Sequence, residues 1–400
     1  MTTYNFDKIT NRKGTNCLKY DFAVERGKPA DVLPLWVADM DFPVSEEITK
    51  SLHAAVDHGI YGYTQPKDAY YNALMNWMER NHNWKTEREW IVKTPGVVFA
   101  LGAAVKAFTD PGDAILIQNP VYYPFTNIIR DNDRRVVDNT LIYEKTTGQS
   151  GDNGYRIDFE DFERKLEQEH IKLFILCNPH NPVGRVWTVE ELQKLGEICL
   201  RHHVIVVSDE IHNDFVYPGY EHTVFAKVDP RFAEFAVTCT APSKTFNLAG
   251  LQISNIFIPN EKLRKAFQTE IDKTGYDEPN ALGIVACEAA YRAGEDWLEQ
   301  LRAYLLQNLN FLREYLQKKI PQIHLVEPEG TYLVWLDCSE LGITGKELDQ
   351  FIVDKAGLWL DGGSMFGPSG AAFQRVNIAC PRATLQLALD KLKTAVDTLK

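Results

Sequence analysis

Three side chains near the middle of the chain are of types that could act on a single small molecule. Lys244 sits in Ala-Pro-Ser-Lys-Thr-Phe-Asn (241–247), Asp209 closes the apolar run 204–208, and Asn181 lies in Asn-Pro-His-Asn-Pro-Val-Gly (178–184). A primary amine can condense with a carbonyl, a carboxylate can hold a ring nitrogen in its protonated form, and an amide can orient a ring oxygen. Taken singly, each has an ordinary reading. A Ser-Lys pair is commonly a surface lysine, an acid after a strand is commonly a helix cap, and an Asn-Pro-x-Asn-Pro run is commonly a turn. Only a fold that brings the three together turns them into a site.

The surrounding elements predict such a fold. Short apolar runs at 114–118, 171–176, 204–208, 235–240 and 253–258 are bounded by polar or turn residues, and amphipathic stretches at 158–168 and 189–202 lie between some of them. Continuous apolar strands alternating with helices indicate a mostly parallel sheet covered on both faces. Helix signals agree: Ser45 precedes Glu46 and Glu47 in a helix ending at Gly59, and Thr188-Val-Glu-Glu191 reads as a capping box. After Pro279 the texture becomes α+β, with helical patterns at 280–293, 295–318 and 345–356, strand-like runs at 331–336 and 375–379, and a last helix from Arg382. The expected class is α/β, with a three-layer large domain over 46–284 and a smaller α+β domain built from 1–45 and 285–400. In such sheets ligands bind beyond the carboxyl ends of the strands. Asn181, Asp209 and Lys244 each follow a predicted strand, so all three fall on one rim.

Composition narrows the function classes. The formal charge of −12 gives no basic footprint for nucleic acid, and 44% hydrophobic with 24% charged residues is ordinary for a globular chain. Four hundred residues can bury a large core with neither disulfide nor metal staples. Seven cysteines, odd in number and without a Cys-x-x-Cys pair, read as small buried groups in a reducing compartment. With no membrane-length apolar run and no apolar leader, the expectation is a soluble cytoplasmic protein.

The three residues, separated by 28 and 35 positions from 181 to 209 and from 209 to 244, resemble the pattern of fold-type-I pyridoxal phosphate enzymes of the aspartate aminotransferase superfamily. The resemblance runs from Tyr20-Asp21 to Cys380-Pro-Arg382. Trp36-Val-Ala-Asp-Met-Asp-Phe42, Tyr61-Gly-Tyr-Thr64, Ser208-Asp-Glu-Ile-His212 and 241–247 are similar to the cystathionine β-lyase (MalY/PatB-type C–S lyase) branch. The resemblance implies that Lys244 carries the cofactor and removes the substrate proton, Asp209 pairs with the ring nitrogen, and Asn181 donates to the ring oxygen. It implies Tyr122 on the ring face, Tyr63 reaching the phosphate from the other subunit of a homodimer, and Arg375 gripping the substrate carboxylate. For the phosphate, the helix start at Gly96, Val97 and Val98 could supply free amides, and Ser243 a hydroxyl. Aromatic residues near Trp36, Tyr61 and Tyr122 could accept an apolar leaving group.

Two positions depart from the wider superfamily: His212 where a tyrosine is frequent, and Gln252 where a phosphate-binding arginine is frequent. His212 could orient the cofactor or be a buried histidine satisfied by backbone. Both departures favour carbon–sulfur β-elimination on cysteine S-conjugates over transamination. An aminotransferase is the first alternative, and a regulatory or binding protein retaining the fold is the second.

Overall fold

The computed structural model describes residues 2–145 and 153–399. Its centre is a seven-stranded sheet of β1 (Ile91–Thr94), β2 (Ala114–Ile117), β3 (Arg135–Asp138), β4 (Leu173–Cys177), β5 (Ile205–Asp209), β6 (Ala236–Thr240) and β7 (Ser254–Phe257), in the order β1-β7-β6-β5-β4-β2-β3. Strands β3, β2, β4, β5 and β6 are mutually parallel. The buried runs follow from the layers. Leu173, Ile175, Cys177, Val207, Val237 and Cys239 point into one core with Ala100, Leu101 and Phe267, whereas Phe174, Leu176, Val206 and Ala236 point into the other with Leu192, Leu195 and Phe162. Strand residues alternate between faces, so a sheet covered on both sides needs apolar residues at every position.

Strand β7 runs antiparallel to both β6 and β1. The chain between β6 and β7 stays at one end of the sheet and makes no crossover helix, so the returning strand must reverse direction. That return passes through residues 241–253 and places the Lys244 turn directly on the rim. Strands β1 and β3 escaped the sequence reading. Both are edge strands in which Lys93, or Arg135 and Asp138, interrupts a short apolar pattern.

The helix signals correspond to real caps. Ser45 Oγ accepts from Ile48 N at 3.4 Å at the start of Glu46–His58, and Gly59 ends that helix in the left-handed region. The Thr188–Glu191 capping box starts Val189–Arg201. A second, antiparallel sheet orders His324–Val326, Leu333–Asp337, Phe373–Asn377 and Asp361–Gly362. Leu33–Pro34 pairs in parallel with Leu358–Trp359, joining the early chain to its last quarter. Helix Ala281–Ala293 spans the expected boundary at 284/285 and packs on Glu46–His58 and Asp68–His82. Among the described residues no helix is long and apolar enough to cross a membrane.

Candidate active site

Asp209 ends β5, Lys244 follows β6 on the short helix Pro242–Thr245, and Asn181 lies just past β4. The parallel strands bring these ends together, and all three side chains line one cavity of about 180 Å³. Gly96, Val97, Val98, Tyr122, His212 and Ser243 line the same cavity.

Burial sets the charges here. Asp209 is held up at about 7, chiefly by loss of water. The Ile211 N–H bond at 3.2 Å and the Lys244 charge oppose that rise, and Glu210 adds to it. A buried carboxylate in this state is ready to be ionised by a cation placed against it. Lys244 is pulled down to about 8 by burial, with Asp39 opposing, Arg375 assisting and Asp209 opposing. Its Nζ donates to Ala38 O at 3.2 Å. His212 is pushed down to about 3 by burial and by the positive charges of Lys244 and Arg375, so its ring is neutral. Its Nδ1 has no hydrogen-bond partner, and the ring stands edge-on to Tyr332 at 5.9 Å. No backbone group partners that ring nitrogen.

On the cavity lining the helix Val97–Phe108 begins with no side-chain cap at Gly96, leaving its first amides without a side-chain partner. Ser243 and Ser254 line the same cavity, and Ser254 Oγ is buried with no hydrogen-bond partner. Uncapped amides, two hydroxyls and a helix N-terminus form a cradle for an anion. Gln252 also lines this cavity, in the left-handed region at φ 48. Tyr122 packs edge-on against Phe125 at 5.8 Å, and burial keeps its phenol neutral by raising its pKa.

Arg375 approaches from the second sheet. Its Nη1 donates to Asn181 Oδ1 at 3.0 Å, and its Nη2 donates to Trp36 O at 3.2 Å and pairs with Asp361. Its Nε is buried with no partner, and the guanidinium lies over the Phe366 ring at 4.9 Å. The Asp361 carboxyl is raised by burial, with Arg375 opposing. Asn181 is thus joined to Arg375 across the two sheets. Trp36 meets this group through its carbonyl. Its ring instead stacks on Trp359 at 4.3 Å, under the Arg26 guanidinium. Tyr63 stands apart on the surface at 95% exposure.

The sequence reading did not single out Ala38, Asp39, Ser254, Tyr332 or Asp361. Ala38 and Asp39 lie inside the 36–42 motif but carry no individual signal there, Ser254 opens a strand, and Tyr332 and Asp361 sit in apolar or glycine-rich runs. The residues present fit pyridoxal phosphate. An under-compensated buried carboxylate, a lysine and an anion cradle with an orphaned hydroxyl line one cavity.

Residues 30–392 match the aminotransferase class I and II family. The chain belongs to that family. It is 46% identical to cystathionine beta-lyase PatB of Bacillus subtilis (strain 168), over 98% of this chain and all of that protein. It is 31% identical to protein MalY of Escherichia coli (strain K12), over 99% of this chain and all of the other. The fold is similar to that of cystalysin from Treponema denticola, whose crystal structure contains pyridoxal 5'-phosphate, with a TM-score of 0.95, 37% identity and full coverage of both chains.

Proposed function

We infer that the chain is a pyridoxal phosphate-dependent carbon–sulfur β-lyase that cleaves L-cystathionine or other cysteine S-conjugates to a thiol, pyruvate and ammonia. The observation that carries this reading is the meeting of Lys244, Asp209 and Asn181 in one cavity, with Arg375 bonded to Asn181 at its edge. When bound, the cofactor supplies an aldehyde for covalent attachment and an electron-withdrawing ring.

The chain's own residues do the rest. Asp209 would give the ring nitrogen a buried carboxylate partner, and the carboxyl would be ionised by that contact. The uncapped amides after Gly96, with Ser243 and Ser254, bind the phosphate. Arg375 fixes the substrate carboxylate, and Asn181 shares one guanidinium nitrogen with it. Lys244, whose amine titrates near 8, is matched to taking a proton from the substrate Cα near neutral pH. The electron pair left on Cα leads to departure of the β-sulfur. The neutral ring of His212 adds no positive charge beside Lys244.

Lys244→Ala should lose the absorbance of lysine-bound cofactor and lower pyruvate release from cystathionine by at least roughly 10²-fold. Retention of both would overturn the reading. Oxo-acid-dependent amino transfer in place of pyruvate release would favour the aminotransferase alternative.

A homodimer completes this reading. Ile60, Tyr61 and Tyr63 are 72, 61 and 95% exposed on one loop, and Val98, on the cavity wall, is 44% exposed. A run of exposed apolar residues on one loop suits a second copy of the chain, with Tyr63 reaching the partner's phosphate cradle.

A further inference from the structure

Residues 35–42 cross the mouth of the site as a strap whose backbone is held from both sides. Asn377 Nδ2 donates to Val37 O and Asp39 O at 2.6 and 2.7 Å. Asn247, three residues beyond Lys244, accepts from Met40 N at 2.9 Å and donates to Met40 O and Phe42 O at 3.1 and 3.0 Å. Between these two clamps, Ala38 O takes both Lys244 Nζ at 3.2 Å and the Tyr332 hydroxyl at 2.8 Å. Asp39 is therefore fixed one residue from the carbonyl that Lys244 touches.

The two carboxylate oxygens of Asp39 have different surroundings. Oδ2 accepts from Arg12 Nη2 at 2.5 Å, whereas Oδ1 is buried with no hydrogen-bond partner. Arg12 is shared: its Nη1 pairs with Asp41 at 2.7 Å, which also takes Lys19 Nζ at 3.0 Å. Arg12 thus only partly neutralises Asp39. A buried carboxylate oxygen without a donor is costly unless a positive charge stands nearby.

We propose that Asp39 is a positioning residue for proton transfer, supplying the counter-charge that keeps Lys244 Nζ protonated after it takes the substrate proton, with Arg12 setting how much of that charge Lys244 experiences. The proton moves from the substrate Cα to neutral Nζ, the former C–H pair becomes the Cα–Cβ π bond, and the β-sulfur departs with the C–S bonding pair. Asp39 neither gains nor loses a proton. The proposal rests on Lys244 being the proton acceptor.

Asp39 is the largest charge opposing the effect of burial on Lys244. The other groups around that amine act differently. Asp209 supports the ammonium from β5, Arg375 opposes it from the second sheet, and His212 and Tyr332 are neutral.

The test titrates the visible absorbance of lysine-bound cofactor against pH in holoenzyme variants and measures the isotope effect on pyruvate release from Cα-deuterated cystathionine. Asp39→Asn should move the absorbance midpoint down by about one pH unit or more, and Arg12→Gln should move it up, since one removes a negative and the other a positive charge. Asp39→Asn should also lower kcat by about tenfold or more with KM little changed and a larger isotope effect, whereas Asp39→Glu should restore the parent midpoint. Both charge-removing variants break the same ion pair, so mere loosening of the strap would move them in the same direction. Movement in the same direction, or none, overturns the proposal. If Asp39→Asn does not fold, Arg12→Gln against Arg12→Lys carries the same test. Absorbance retained in Lys244→Ala would instead mean that the Lys244 assignment had failed.

Discussion

In the chain without cofactor, Asp209 binds its proton far above the range of an exposed aspartate, because burial removes the water that would solvate its charge. Its folded pKa is raised from the ordinary 3.8 to about 7, so the folded form holds more protons than the unfolded form between those values. The associated stability is present in full below pH 3.8 and is lost as pH rises through about 7. The span is worth on the order of 4 kcal/mol. Urea unfolding of cofactor-free protein should show parent stability falling from pH 4.5 to 8 relative to Asp209→Asn, with the sign of that difference deciding the point. At this scale the lysine, aspartate and asparagine were legible because their types are chemically distinctive and each follows a strand. Asp39, Ser254 and Tyr332 were not, because their partners are distant in sequence; Asp39 lies within the 36–42 motif, but the motif does not say which of its residues meets the lysine.

At the scale of elements, the join between the two sheets depends on a tight passage after Asn181. Gly184 has φ 77, and a Cβ there would stand 2.9 Å from Pro328 Cβ. Its carbonyl accepts from Glu329 N and Gly330 N at 2.8 and 3.0 Å, and Arg185 pairs with Glu329 at 2.9 Å. Gly184→Ala should therefore destabilise the protein by roughly 1–3 kcal/mol, from left-handed backbone strain and overpacking together. Thermal or urea unfolding measures it, and an unchanged midpoint would contradict the packing argument. Helices with local caps, such as Glu46–His58 and Val189–Arg201, were legible to within a residue or so. Strands β1 and β3 were not, since each is four residues long and Lys93, or Arg135 and Asp138, interrupts its apolar pattern. Nor was the reversal of β7 legible, because strand direction depends on whether the connection crosses the sheet.

For the whole molecule, the outward loop carrying Ile60, Tyr61 and Tyr63 predicts association between copies. Sedimentation should give a dimer, and Tyr63→Ala should weaken cofactor binding. Co-expressing Tyr63→Ala with Lys244→Ala chains should restore about a quarter of parental activity, because half of the dimers then hold one site with both native residues. No restoration would place Tyr63 outside the partner's site. The change of texture after Pro279 was legible in the sequence, and Leu33–Pro34 pairs with Leu358–Trp359. The helix Ala281–Ala293, which spans the expected boundary and packs on the helices after residue 45, was visible only in the packing.

The sequence by itself determined the sheet with its buried strands, the rim on which Lys244, Asp209 and Asn181 fall, and the chemistry of an amine set against a carboxylate. These depend on residue type and local periodicity, which operate over a few neighbouring positions. Tertiary structure alone decided that Arg375 reaches Asn181, that Ala38 O receives both Lys244 and Tyr332, and that Asp39, next to that carbonyl, keeps one oxygen unpartnered. Those contacts join residues about two to three hundred positions apart. Their energies depend on how completely water is excluded where the segments meet, a quantity that does not exist until the chain has folded.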